Sequence, residues 1–128
     1  MNFTFKKDEH LCSRKDIEAL ILNGNSSFIF PFKIHWKIAG NFSPPVKIAF
    51  SVPKKRFKRA NKRNLIKRRT REAYRLNNHL LAETLRLKNV QINVLLVYVS
   101  SEIITFHDLE KKIKNVVDSI LAEVQKIA

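Results

Sequence analysis

Hydrophobic and polar positions change their period several times along the chain, and each change marks an element. Ser13 and Asp16 form a capping-box-like S-x-x-D, and Ile17, Leu20 and Ile21 follow at helical spacing. Gly24, between Asn23 and Asn25, stops this helix, which is predicted over residues 13–23. From Phe28 to Ile38 the period falls to two. Phe32, Ile34, Trp36 and Ile38 share one face, and Lys33, His35 and Lys37 share the other. Pro31 argues for an edge position or a bulge where this strand begins. Residues 40–45, Gly-Asn-Phe-Ser-Pro-Pro, read as a turn, and Val46 to Val52 as a second strand with Val46, Ile48, Phe50 and Val52 facing one way. These two strands are predicted to form a hairpin.

Pro53 ends the second strand, and one long helix is predicted over residues 58–87. At about 100° per residue, Ile66, Ala73, Leu76 and Leu80 cluster on one side of it. Arg63, Asn64, Lys67, Arg68, Arg71 and Arg75 fall on a separate arc. Asn77 and Asn78, both weak helix formers, are expected to loosen its middle. Gln91 to Val99 is β-branched and apolar on both faces, the pattern of a central strand. A last helix starts at Thr105, with Asp108 at its third position and an Ile104–Leu109 staple. It is expected to bury Leu109, Ile113, Val116, Val117, Ile120, Leu121 and Val124. The order α-β-β-α-β-α predicts an α/β (α+β) two-layer sandwich, a small mixed sheet packed by helices. Residues 1–128 read as a single domain without linker, repeat or tail.

Charge sharpens this picture, because it is concentrated. The 128 residues carry 25 Lys and Arg against 11 Asp and Glu, a formal net charge of +14. Lys54 to Arg75 holds twelve of those basic residues and one acid, Glu72, so this segment carries +11. A solvated helix face would mix signs in i,i+4 pairs. A field this one-signed attracts a polyanion, and a phosphate backbone is the usual one. A membrane-surface helix would carry bulky apolar residues throughout its opposite face, and the first half of this segment has few. The longest apolar run, Val94 to Val99, is six residues, far short of a span. Lys6, Lys7, Asp8, Glu9 and His10 stand where a signal peptide would need an apolar stretch. The single cysteine, Cys12, excludes a disulfide framework and fits a reducing compartment. A soluble, cytoplasmic protein is expected.

Catalytic chemistry is hard to find. The sequence has no glycine-rich phosphate loop, no nucleophile elbow and no H-E-x-x-H. The four histidines, 10, 35, 79 and 107, sit at no metal-ligand spacing. His107-Asp108-x-Glu110 is the nearest approach to a cluster, and its place at a helix start explains both acids as capping and dipole residues. Cys12 has basic neighbours, but no histidine is placed by sequence to act as its base. No catalytic residue and no metal ligand is expected in the protein itself.

The basic segment reads Lys54-Lys55-Arg56-Phe57-Lys58-Arg59-Ala60-Asn61-Lys62-Arg63-Asn64-Leu65-Ile66-Lys67-Arg68-Arg69-Thr70-Arg71-Glu72. It resembles the signature of the protein subunit of bacterial ribonuclease P: K-K, then A-x-x-R-N-R-x-K-R-x-x-R-E on a helix that follows a strand. Phe50-Ser51-Val52-Pro53 looks like the family's strand end, and Leu11, Asp16-Ile17 and Asn23-Gly24 match its opening helix and glycine stop. The resemblance covers residues 5–120. Three positions depart from it. The family's R-N-R triplet stands here as Arg63-Asn64-Leu65, and Leu65 borders the apolar arc. Ile17 and Ile21 occupy places where the family tends to carry aromatics, and His35 stands near a frequent tyrosine.

The resemblance implies a protein cofactor to a catalytic RNA, in a 1:1 ribonucleoprotein that removes the 5′ leader from precursor tRNA. Mg²⁺ would be bound with the RNA, and the protein alone would bind no cofactor. It further implies an α/β sandwich with a left-handed crossover. The RNA contacts would fall on Lys54, Lys55, Arg56, Lys58, Arg59, Lys62, Arg63, Asn64, Lys67, Arg68, Arg71 and Arg75. The guanidinium fork suits such contacts because it pairs with phosphate bidentately, and Asn64 can address a base edge or a 2′-hydroxyl. The leader would lie against Ile17, Ile21, Lys33, His35 and Lys37. Considered on their own, those three strand residues fit a solvated edge strand equally well. A structural RNA-binding protein of ribosomal type shares the charge, and an independent nuclease lacks its paired carboxylates here.

Overall fold

A computed structural model of the chain describes residues 10–11, 13–40 and 44–127. Cys12 and residues 41–43 of the expected turn lie outside them, as do Lys6, Lys7, Asp8 and Glu9. The elements run α1 (Arg14–Asn23), β1 (Asn25–Ile29), β2 (Phe32–Gly40), β3 (Val46–Ser51), α2 (Ala60–Asn77), α3 (His79–Lys88), β4 (Gln91–Tyr98) and α4 (Phe106–Gln125). The sheet has the order β1-β2-β4-β3. β1 and β4 pair antiparallel with β2, while β3 pairs parallel with β4. The fold is therefore α+β around a mixed four-stranded sheet.

Three expectations are corrected by this arrangement. β2 and β3 do not form a hairpin, because β4 lies between them. A strand apolar on both faces, as β4 is, needs neighbours on both edges and helices on both sides. The run that reads as one strand from Phe28 is two strands folded back at Phe30-Pro31, with Phe28 opposite Lys33 and Ile29 opposite Phe32. Pro31 thus sits in the turn, where its carbonyl accepts from the Val99 N–H at 2.8 Å. Finally, the long helix is two. It breaks at Asn78, and α3 turns Leu81 and Leu85 into the core while Leu80 stays exposed.

The main core fills one face of the sheet. Phe32, Ile34 and Trp36 of β2, Val46 and Ile48 of β3, and Ile92, Val94, Leu96 and Tyr98 of β4 meet α2, α3 and α4 there. α4 buries all seven residues expected of it. Its first turn is capped by Thr105, whose hydroxyl accepts from the Asp108 N–H at 3.3 Å. α1 lies on the opposite face, where Leu20 joins Leu11 and Leu95 in a smaller cluster. Ser13 caps it by accepting from the Asp16 N–H at 3.3 Å. Gly24 ends it for a steric reason: a Cβ there would stand 2.6 Å from the Leu20 carbonyl oxygen and 3.1 Å from that of Trp36. The outer edge of β3 is met by the N-terminal stretch, through a His10–Ile48 bridge and a 2.9 Å bond from the Leu11 N–H to the Ile48 carbonyl.

Candidate nucleic-acid interface

β3 ends at Ser51, and the chain turns through Lys54, Lys55 and Arg56 into α2. The turn is closed by a 3.1 Å bond from the Arg56 N–H to the Pro53 carbonyl. Lys54, Lys55, Lys58, Arg59 and Lys62 are exposed, and Arg56 is half-buried. α2 begins without an acidic residue or a side-chain cap, so its positive dipole end adds to this charge instead of being neutralised. Asn61, Asn64, Arg68 and Arg71 are exposed at successive intervals of three, four and three, which makes one stripe along the helix. Lys67 flanks it, half-buried.

Three arginines of the segment are engaged by the fold, and one of them, Arg69, donates through Nη1 to the Ile104 carbonyl at 2.9 Å. Arg63 donates through Nη1 to the carbonyls of Phe57 at 2.8 Å and Lys58 at 2.9 Å, clamping the basic turn to α2. Arg75 is held by Glu72 in a two-pronged pair at 3.1 and 2.5 Å. The Arg75 hydrogen bond holds the Glu72 carboxyl below its ordinary pKa, so the one acid of the segment stays ionised. Arg75 is thus partly neutralised, unlike the free cations of the stripe. Leu65 is half-buried, as its place beside the apolar arc implies.

The α1 side of the sheet offers a second surface, laid out in rows by the strand register. Lys37, Asn93 and Lys47 form one row across β2, β4 and β3. Ser26, His35, Leu95 and Ala49 form the next, and Phe28, Lys33, Val97 and Ser51 the third. α1 covers the middle row, so His35 is only 6% exposed and its open ring face is lost. Burial, and then the neighbouring Lys33, push the His35 pKa below its ordinary value. His35 Nδ1 and Asn93 Oδ1 are both buried on this side without a hydrogen-bond partner. A groove of about 200 Å³ opens between Asp16, Ala19 and Leu20 of α1 and Lys37, Ile38 and Asn93 of the sheet. Ile17 packs onto the small cluster under α1, but Ile21 is 55% exposed and does not share its burial. Of the three apolar residues at helical spacing, Leu20 is the one fully buried there.

A ribonuclease P family profile matches residues 5–121. The chain is 32% identical over 127 residues to the ribonuclease P protein component of Porphyromonas gingivalis ATCC 33277, covering 98% of this chain and 93% of that protein. The chain belongs to the ribonuclease P protein family. The same identity and coverage hold for the protein component of P. gingivalis W83. Among solved structures, the Staphylococcus aureus RNase P protein superposes with a TM-score of 0.72 at 16% identity, covering 88% of this chain and 94% of that one. The Thermotoga maritima RNase P protein gives 0.70 at 20% identity, covering 86% and 96%. Membership decides against the ribosomal-type reading, which composition leaves open.

As a ribonuclease P protein, the chain carries site features that its sequence pattern alone does not disclose. Lys47 and Asn93 stand in one row with Lys37 only because β4 separates β2 from β3. The alternation of β3 already puts Lys47 opposite Val46 and Ile48, but the strand order is what places it in a row with Lys37. Asp108 and Glu110, the nearest approach to an acidic cluster, have structural partners. Asp108 sits in the capped first turn of α4, and Glu110 accepts from Asn77 Nδ2 at 3.2 Å.

Proposed function

We propose that this chain, as a member of the ribonuclease P protein family, is an accessory subunit that works with an RNA partner in tRNA processing, and that its two surfaces divide that work. The basic turn and the outer stripe of α2, from Lys54 to Arg71, bind the RNA subunit in a 1:1 complex. The α1 side of the sheet, with Lys33, Lys37 and Lys47, holds the 5′ leader of precursor tRNA. One observation carries this reading: the sheet separates α2, which holds seven of the twelve cations of the +11 segment, from a milder basic face with a groove on the α1 side. Folded RNA, with crowded phosphates, suits the first. An extended strand of variable sequence suits the second.

Hydrolysis of the phosphodiester then falls to the RNA subunit and the Mg²⁺ bound with it, which supplies charge stabilisation at the scissile phosphate. The complex acts in the cytoplasm, where precursor tRNA is found. Cleavage of a precursor tRNA at low Mg²⁺, measured with RNA alone, protein alone and both together, tests the proposal. Cleavage is expected with both, little with RNA alone and none with protein alone. Mg²⁺-dependent hydrolysis by rigorously RNA-free protein, abolished in Asp108→Asn or Glu110→Gln, would refute it.

A further inference from the structure

We infer that Phe28, with Lys33 beside it, is a base-stacking platform for an unpaired nucleotide of the RNA strand that lies on the α1 side of the sheet. The inference rests on the leader-binding reading above and adds a residue and a location to it. Phe28 lies on β1, an edge strand, and is 58% exposed. Its register partner is Lys33, so the two side chains leave the sheet on the same face, with Cβ atoms about 5 Å apart in such a pair. The other aromatic rings of the sheet are committed elsewhere. Phe32, Trp36 and Tyr98 are buried in the main core, and His35 is covered by α1. Among the described strand residues on this side, Phe28 alone offers an open aromatic ring.

The choice of occupant follows from what surrounds the ring. The row Phe28–Lys33–Val97–Ser51 ends at the strand that runs directly into Pro53, Lys54 and Lys55. The platform therefore stands at the end of the sheet where the basic turn begins, with cations beside it and beyond it. A polyanion with exposed flat faces satisfies both features: phosphates meet the lysines, and a base covers the ring. Stacking tolerates any base, because every base has a π-face. Ile17 and Ile21 of α1 cannot stack, so Phe28 supplies the aromatic contact from the β1 edge of the surface.

The test uses the reconstituted complex of full-length protein and its RNA subunit, with precursor tRNA bearing a long leader and with mature tRNA. Stacking of roughly 1–3 kcal/mol per base corresponds to a fivefold or greater change in affinity. Phe28→Ala is expected to weaken precursor binding at least about fivefold, with mature tRNA and RNA-subunit binding unchanged. Phe28→Tyr, which keeps the ring, is expected to bind like the parent. A precursor with 4-thiouridine in the leader is expected to crosslink at Phe28. Thermal melts of each variant establish that the exposed substitution leaves the fold intact. If Phe28→Ala matches the parent while Lys33→Ala with Lys37→Ala still lowers the precursor-to-mature ratio, the platform is wrong and the leader reading stands. If neither variant changes the ratio, both fail. A change in sedimentation of the free protein in Phe28→Ala, with RNA binding untouched, would make the ring a protein contact and overturn the inference.

Discussion

Arg63 shows that a cation in a binding segment can serve the fold first. Its two bonds to the Phe57 and Lys58 carbonyls tie the basic turn to α2, and Phe57 itself is buried. Losing such partly exposed, charge-assisted bonds costs about 1–2 kcal/mol. Arg63→Ala is therefore expected to lower the thermal midpoint as well as RNA affinity. Arg68→Ala and Arg71→Ala, on the exposed stripe, should weaken RNA binding and leave the melt unchanged. Equal melts for all three would show that the clamp carries no stability. The sequence cannot distinguish these arginines, because what differs is which carbonyls the turn presents to them. His35 carries the same lesson with the opposite outcome. Alternation puts it on the lysine face correctly, but only the packing of α1 reveals that it is buried. Its folded-state pKa is depressed, so its contribution to stability is complete above the ordinary value of 6.5 and is lost as pH falls through the folded value. In an NMR titration the His35 ring should ionise below 6.5, and Lys33→Ala should move it upward by removing the lesser of its two causes. A parent value at or above 6.5 would contradict the burial.

Elements whose partners are local were legible in the sequence. α1 and α4 have one buried face and a side-chain cap each, so periodicity and the S-x-x-D or Thr105–Asp108 signal locate them within a residue. β4 declares itself central because both of its faces are apolar. Strand order was not legible. Two alternating strands joined by a short turn look like a hairpin, and only the need of β4 for two neighbours separates them. β1 was hidden because Asn-Ser-Ser-Phe-Ile is a short edge strand with one partner and a largely exposed surface. Between α1 and β1 the chain must pass close to Trp36, and Gly24 is the residue that permits it. Its φ is −79°, so the constraint is space, not backbone handedness. Gly24→Ala forces a Cβ against the Leu20 carbonyl at 2.6 Å, an overpacking expected to cost about 1–3 kcal/mol in denaturant unfolding. A variant as stable as the parent would mean that α1 can shift on the sheet without loss. Because α1 forms one wall of the groove, the same variant should also weaken precursor binding more than mature tRNA binding.

At the scale of the whole molecule, the sheet keeps two basic surfaces apart. α2 packs on the face filled by the main core, and α1 covers the other. The charge run was plain in the sequence, but its separation from Lys33, Lys37 and Lys47 was not, since that depends on which side of the sheet each helix occupies. The arrangement makes the two binding events separable. Arg68→Ala with Arg71→Ala removes charge from the α2 stripe only. It should weaken binding of the RNA subunit and reduce the slope of log affinity against log salt by roughly one per lost phosphate contact. Lys33→Ala with Lys37→Ala removes charge from the sheet face only. It should lower the precursor-to-mature affinity ratio of the assembled complex and leave RNA-subunit binding nearly intact. Phosphate contacts are indifferent to sequence, so this ratio should fall by a similar factor for leaders of different sequence, and the parent's ratio should itself decline as salt rises. Sites this distant, with no shared partners, should act additively. The quadruple variant is therefore expected to show the sum of the two free-energy losses, measured by titrating RNA subunit and then precursor at several salt concentrations. A loss in RNA-subunit binding from the lysine pair, or strong non-additivity, would mean that one continuous RNA surface wraps the edge of the sheet.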